Sequence, residues 1–117
     1  MSWRRGTADM KAPAIPVEVQ KIVESVVEAF NKKHLRPHGK YVTRWAKKNL
    51  FIGFSSGGKV SPRCRLTYTG SIDEWAFAIF KFSTETYDTD EWMFEGYEHL
   101  DGTIEGALEA IMEAYPD

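Results

Sequence analysis

The stretch KYVTRWAKKNLFIGF, residues 40 to 54, decides the fold of this chain. Its first half, Lys40–Ala46, alternates Tyr, Thr and Trp with Val, Arg and Ala, which is the period of two that a β-strand imposes. A short polar turn around Lys47 and Lys48 then leads into an apolar run, Leu50–Phe54. Strands joined by so short a turn pair antiparallel, so the stretch predicts a β-hairpin.

Three further segments carry strand patterns on the C-terminal side of this hairpin. Arg63–Tyr68 alternates polar with apolar side chains, and Glu74–Phe82 is apolar on both faces over most of its length, as in a central strand. Glu91–Tyr97 is the fifth predicted strand. The acidic loop STETYDTD, residues 83–90, separates it from the fourth.

A helix is predicted on each side of these strands. Residues 16–34 place Val, Ile and Phe at steps of three and four, with Pro16 in the first turn, and Thr103 is the predicted N-cap of a second helix with the same period. The order α-β-β-β-β-β-α predicts an α+β domain, in which a five-stranded, mostly antiparallel sheet is flanked by an N-terminal and a C-terminal helix. We expect both helices on one face, which leaves the other face open at least in part.

The length of 117 residues predicts one domain, residues 15–117, preceded by a flexible arm, residues 1–14. The single cysteine, Cys64, excludes an internal disulfide. No stretch resembles a signal peptide, and no apolar run approaches the ~20 residues of a membrane span. We therefore expect a cytoplasmic protein that does not contact a membrane.

The stretch GFSSGGKV, residues 53–60, matches all but the last position of the phosphate-binding motif G-x-x-x-x-G-K-[ST]. Val60 replaces the hydroxyl that would bind magnesium, and Pro62 forbids the helix that must follow such a loop. We interpret Ser55–Gly58 as a mobile turn between the second and third strands, in which glycine supplies positive φ. Lys59 then acts by its charge, with a non-catalytic anion site as the minor alternative.

Other residue types that carry chemistry do not form a recognisable set. His34 and His38 have metal-ligand spacing, but Pro37 lies between them and ends the helix, so no metal site is predicted. Cys64 is expected to face the core as a small hydrophobe rather than to act as a nucleophile. The acidic loop lacks the spacing of a calcium-binding loop. Because no nucleophile, base and orienting group can be assembled, the sequence predicts no catalytic residue and no cofactor.

Charge is divided between the two halves of the chain. Residues 1–65 hold 14 Lys and Arg and 4 Asp and Glu, a net charge of +10, whereas residues 66–117 hold 1 and 13, a net charge of −12. The halves either neutralise each other or offer a basic surface to an anionic partner. Arg44, Arg63 and Arg65 are predicted to share the polar face of the first three strands. Phe51 is predicted to lie on the same side as Arg65. The candidate anion- or partner-binding residues are Arg44, Lys47, Lys48, Lys59, Arg63 and Arg65.

These patterns predict a small non-enzymatic binding domain. The favoured function is protein–protein interaction, with a protein partner or as a homodimer, through a charge-segregated sheet surface. The alternative is binding of single-stranded RNA or DNA, or of another polyanion, by the basic N-terminal half. A pI of about 5.9 and the lack of a known RNA-binding motif speak against that alternative. An enzyme acting on a small molecule is the third and least favoured interpretation.

Overall fold

Hairpin-length connections between successive strands give one antiparallel sheet, as the sequence predicts. The computed structural model describes residues 15–34, 39–90 and 94–116, so the predicted N-terminal arm lies outside the described residues. The elements in chain order are α1 (Val17–Lys33), β1 (Lys40–Ala46), β2 (Asn49–Ser56), β3 (Lys59–Thr67), β4 (Ala76–Lys81), β5 (Thr86–Asp88), a short 3-10 helix (Tyr97–His99) and α2 (Ile104–Ala114). Each strand pairs with the next in the order β1-β2-β3-β4-β5, which confirms the α+β fold. No helix in these three ranges is long and apolar enough to cross a membrane.

Two-residue turns join the first three strands. Lys47–Lys48 links β1 to β2, and Lys47 adopts a left-handed φ of 56°. Gly57–Gly58 links β2 to β3 with φ angles of 58° and 83°, which glycine adopts without steric cost and which suit a tight hairpin. β2 therefore runs up to the glycine pair, and the wider turn predicted over residues 55–58 is wrong. A strand, not a helix, follows this turn, which removes the resemblance to a phosphate-binding loop.

The fifth strand lies earlier in the chain than predicted. Thr86–Asp88 forms β5 inside the segment interpreted as an acidic loop, because the turn after β4 is tight and places Glu85 at a φ of 55°. The predicted strand Glu91–Tyr97 is wrong over residues 94–97, and residues 91–93 lie outside the described residues. Residues 94–96 form a turn, and Tyr97 begins the 3-10 helix. Gly96 has a φ of 99° there, and such a residue ends extended backbone.

Both helices pack on the same face of the sheet. The rings of Phe30, Tyr41 and Phe54 run in series from α1 across β1 and β2, with neighbouring centroids 5.9 and 5.3 Å apart. Cys64 faces this core, as predicted. The largest fully buried side chains are Val23, Leu50, Ile52, Cys64, Leu66, Leu108 and Ile111. The opposite face carries no helix within the described ranges, and it is called the open face below.

Helix α2 begins at the predicted cap. Thr103 Oγ1 accepts a hydrogen bond from the Gly106 N–H at 3.0 Å. The hydroxyl and N–H of Thr103 both donate to Asp101, at 2.6 and 3.1 Å, and these hydrogen bonds lower the pKa of the Asp101 carboxyl. At the other end of the helix, the Tyr115 hydroxyl donates to the carbonyl oxygen of Phe80. Both ends of α2 are therefore fastened by side-chain hydrogen bonds.

Candidate binding face

The register of the sheet places an arginine on either side of Phe51. Arg44 of β1 is opposite Phe51 of β2, and Phe51 is opposite Arg65 of β3. Residues opposite each other in a ladder point to the same face of the sheet. The prediction that Phe51 lies on the same side as Arg65 is confirmed, and Arg44 joins them on the open face.

Tyr87 of β5 extends this group across the sheet. The Arg44 guanidinium lies 4.2 Å from the centroid of the Phe51 ring, and the Arg65 guanidinium lies 5.7 Å from that of Tyr87. The two rings meet edge to face at 5.3 Å. Ala78, opposite Arg65 in β4, is small and buried, which leaves room for Tyr87 to reach over β4. We call Arg44, Phe51, Arg65 and Tyr87 the arginine–aromatic row.

A β-bulge removes Arg63 from the open face, so the prediction that the three arginines share one face is wrong. Ile52 pairs with Cys64, whereas Gly53 pairs with Pro62. Arg63 is thus an extra residue on β3, and the alternation of side chains shifts by one at this point. A strict period of two along the strand cannot reveal such an insertion.

Arg63 instead lies under the helices. Its guanidinium is 5.6 Å from the centroid of the Phe54 ring and 4.8 Å from that of Tyr115, at the end of α2. Its Nη1 donates to the Ser61 hydroxyl at 3.0 Å, and the residue is only 5% exposed. Arg63 therefore stabilises the packing of α2 on the sheet.

The predicted lysines lie at the ends of the strands. Lys47 and Lys48 form the turn at one end of β2, and Lys59 begins β3 at the other end. The eight residues of β2 separate these ends, a distance of roughly 26 Å at ~3.3 Å per residue. Of the six predicted residues, the fold brings only the pair Arg44 and Arg65 together around one aromatic ring.

The sequence patterns do not point to three further residues of this face, Gly53, Val60 and Tyr87. A polar–aromatic–polar alternation over three residues is too short to separate β5 from a loop. Gly53 gives a usable signal, because a glycine inside an apolar strand often marks a bulge or a close approach of the backbone. That signal is hidden here by the match of residues 53–60 to a phosphate-binding motif.

The ion pairs between described residues stay within one half of the chain. Lys32 pairs with Glu28 at 3.9 Å in the basic half, and Lys81 pairs with Asp88 at 3.7 Å in the acidic half. Within the described ranges neither arginine of the row meets a carboxylate, and Nε of Arg65 is buried without a hydrogen-bond acceptor. The guanidinium group of Arg44, which is exposed, is therefore open to a ligand, and that of the half-buried Arg65 lies on the same face.

Two titratable groups near the row are held in their neutral form. Burial raises the pKa of the Tyr87 phenol, while the charges of Arg44 and Arg65 act in the opposite direction. Burial also raises the pKa of the Cys64 thiol well above its usual range. A buried thiol that resists ionisation is not a nucleophile. Cys64 is therefore a core residue that stays in its thiol form in the folded protein.

Helix α1 is bonded to the edge strand β1, and the strand at the other edge is short. Along β1, Glu24 of α1 accepts hydrogen bonds from the Thr43 hydroxyl at 2.6 Å and from Trp45 Nε1 at 2.7 Å. These bonds hold the helix beside the edge strand. At the other edge, β5 is only three residues long. A short edge strand disfavours extension of the sheet at that edge.

A second group of ligand-capable side chains lies beside α2. His99 Nε2 is 2.9 Å from Glu113 Oε1, and its Nδ1 is 3.4 Å from Glu109 Oε1. One oxygen of Glu98 lies within 4.8 Å of the same His99 and Glu113 atoms. Because both ring nitrogens already face carboxylates, the group joins the 3-10 helix to α2. Of the histidine pair considered from the sequence, His38 lies outside the described residues.

The row offers two kinds of contact to a ligand. Its guanidinium groups can bind carboxylates or phosphates in a fixed geometry, and its rings offer apolar and cation–π contacts. On this face, the described residues place no nucleophile beside a general base. Comparison of the chain with protein-family models, with curated proteins and with solved structures found no match.

Proposed function

We propose that this protein is a non-enzymatic binding domain that holds a partner protein against the open face of its sheet. The observation that carries this proposal is the arginine–aromatic row, in which two guanidinium groups lie over aromatic rings at 4.2 and 5.7 Å. Arginine and aromatic residues are enriched at the centres of protein interfaces and contribute much of the binding energy there. The row therefore has the composition of an interface centre.

The charge of the row favours a different protein over a second copy of the same face. A face-to-face homodimer would bring Arg44 and Arg65 against the same two arginines of the second copy. Like charges in contact oppose association, and the short edge strand β5 disfavours a dimer that extends the sheet at that edge. A partner that carries carboxylates on its surface meets neither obstacle.

Single-stranded nucleic acid is the second candidate, and one observation favours it. Guanidinium planes that lie over rings on an antiparallel sheet can also stack bases and bind phosphates. The row has two cations, however, and Lys47, Lys48 and Lys59 lie at the strand ends. Few phosphates can be neutralised at once by such an arrangement, and phosphate contacts dominate the affinity for nucleic acids.

Selection from a library of random peptides displayed on phage tests the proposal. The bait is the full-length protein, and the double variant R44A/R65A serves for counter-selection. We expect enriched peptides whose affinity for the double variant is about tenfold lower, because arginines at interface centres are frequent hot spots. The variant K47A/K48A removes the same number of charges at the β1–β2 turn, and it should bind the selected peptides as the wild type does.

Fluorescence anisotropy with a short single-stranded RNA separates the second candidate. We expect no saturable binding at physiological salt. Saturable binding that weakens steeply with added salt and that is lost in R44A/R65A would favour nucleic acid instead. Recovery of no peptide that depends on the row would overturn the protein-binding proposal.

A further inference from the structure

A concavity on the open face adjoins the arginine–aromatic row. Its volume is about 540 Å³, which lies within the range of ligand sites, ~300–1,000 Å³. Three members of the row line it on one side. The rest of its lining includes Val42, Gly53, Val60 and Pro62. The concavity is therefore apolar next to two positive charges.

Gly53 sets the shape of this concavity. A Cβ at this position would lie 2.8 Å from Cγ1 of Val60 and 2.9 Å from the carbonyl oxygen of Ser61. Because only glycine fits, Val60 lies directly against the backbone of β2. The side chain of Val60 is nevertheless 62% exposed. An apolar side chain of a ligand would remove this surface from water, which is favourable in proportion to the area buried.

The spacing of the two arginines sets the spacing of the groups they can bind. Arg44 and Arg65 lie on β1 and β3, each opposite Phe51, so their backbones are roughly 10 Å apart at ~4.8 Å per strand. Alternate residues of an extended peptide share one side and advance ~6.6 Å per pair. Two carboxylates four residues apart therefore span about 13 Å, and the long arginine side chains can reach them.

We propose that the open face binds an extended acidic segment of a partner protein, with the pattern acidic–x–apolar–x–acidic. The two carboxylates bind Arg44 and Arg65, and the apolar side chain between them enters the concavity beside Phe51. This inference rests on the proposed function and adds the chemistry of the partner. The guanidinium–carboxylate hydrogen bonds orient the segment, and apolar burial supplies most of the affinity.

Titration of the ¹⁵N-labelled full chain with synthetic peptides tests this inference. The probe is a capped peptide that contains Glu-Ser-Leu-Ser-Glu, and amide shifts are expected in β1, β2, β3 and around Tyr87. Replacing its leucine with glycine should weaken binding about tenfold. The charge-reversed peptide Lys-Ser-Leu-Ser-Lys should not bind. R44Q and R65Q should each weaken binding about threefold, the size expected of an exposed ion pair.

Matched variants separate local contacts from general effects. V60A should weaken binding about twofold through lost apolar area, whereas V17A should leave it unchanged although Val17 is similarly exposed, at 60%. K48Q should also leave it unchanged. Equal binding of the charge-reversed peptide, or shifts confined to α1 or α2, would overturn the inference.

The outcomes also separate this inference from the proposed function. If peptides recovered by selection depend on the row but the acidic peptide does not bind, the chemistry inferred here is wrong while the protein-binding function stands. If neither binds, both are wrong. Tighter binding of inorganic phosphate or single-stranded RNA than of the acidic peptide would show that the two arginines bind a phosphate ligand. Dimerisation that depends on concentration and is lost in R44Q would identify a second copy of the chain as the occupant. Either result overturns the inference.

Discussion

The side-chain amide of Asn31 binds both peptide groups of Tyr41. Asn31 Nδ2 donates to the Tyr41 carbonyl oxygen at 2.9 Å, and Asn31 Oδ1 accepts from the Tyr41 N–H at 2.9 Å. These are the two hydrogen bonds that a neighbouring strand would make with an edge residue. Helix α1 thus uses one amide to imitate a strand at the exposed edge of β1, and this edge cannot pair with another sheet at that position.

Replacing Asn31 with alanine should lower the stability of the fold and leave the peptide groups of Tyr41 free to pair with another strand. We expect a loss of about 1–3 kcal/mol in the free energy of unfolding, because two hydrogen bonds to the backbone disappear together. Urea denaturation measures this loss, with the exposed neighbour K33A as the control, expected within about 0.5 kcal/mol of wild type. Sedimentation at high concentration should show association of N31A alone, since its edge strand is freed. A variant as stable and as monomeric as K33A would contradict this role.

Mutation of Arg63 should lower stability more than mutation of Arg65, although the two residues are only two positions apart. R63A should cost about 2–3 kcal/mol of stability, because the buried guanidinium packs between two rings and binds Ser61. R65A should cost about 1 kcal/mol, because Arg65 is half-buried and makes a cation–π contact with Tyr87 at 5.7 Å. Chemical denaturation of the two variants under the same conditions measures the difference. Equal losses would show that the bulge does not separate their roles.

The Asp101 carboxyl should make the free energy of unfolding depend on pH in the acid range. Its hydrogen bonds with Thr103 lower its pKa in the folded state below the ordinary value of 3.8. The ionised carboxyl therefore stabilises the fold at pH values above 3.8, and this contribution disappears as the pH falls through the lower folded-state pKa. Unfolding measured from neutral pH down to strong acid should show D101N less stable than wild type at neutral pH, with the gap closing in acid. A gap that does not change with pH would contradict this assignment.

Cys64 should react with thiol reagents only through unfolding. The side chain is fully buried, and burial raises its pKa, so the native protein offers almost no thiolate. Labelling with a chromogenic disulfide should be slow in native buffer and fast in concentrated guanidinium. Raising the pH to about 9, above the ordinary thiol value of ~8.5, should not accelerate the native reaction as it does for an exposed thiol. Fast labelling of the folded protein would mean that β3 opens locally.

The sequence predicts the elements of this fold better than it predicts the faces they present. In Lys40–Ala46 and in α1, one side of the element contacts the buried core. Apolar residues therefore recur along each with the period of a strand or of a helix. Thr103 is predictable for a different reason: an N-cap is recognised from the residues next to it in the chain. The position of Tyr87 depends instead on a tight turn and on the small size of Ala78 in the neighbouring strand. A position that depends on residues distant in the chain produces no periodic pattern in the sequence.

The candidate site shows the same division. Arg44, Phe51 and Arg65 are predictable as neighbours because hairpin register follows from the turns. The orientation of Arg63 is not predictable from the alternation of polar and apolar residues in β3, and the only local sign of a bulge in that strand is Pro62 beside it. The lysines are predicted as a group by charge alone, and charge along the chain does not say at which end of a strand a side chain will lie.

The β-bulge at Arg63 determines which residues of β3 lie on the open face. Val60, Pro62 and Arg65 meet on one side of the sheet, yet an uninterrupted strand would send positions 60 and 62 to one side and position 65 to the other. The bulge absorbs the extra residue, Arg63, and so keeps the apolar side chains and the cation on the same side of the sheet. Deleting Arg63 would leave Pro62 next to Cys64 in regular alternation and would keep these three side chains on the open face. Straightening the strand with Arg63 retained would instead turn either Val60 and Pro62 or Arg65 toward the helices.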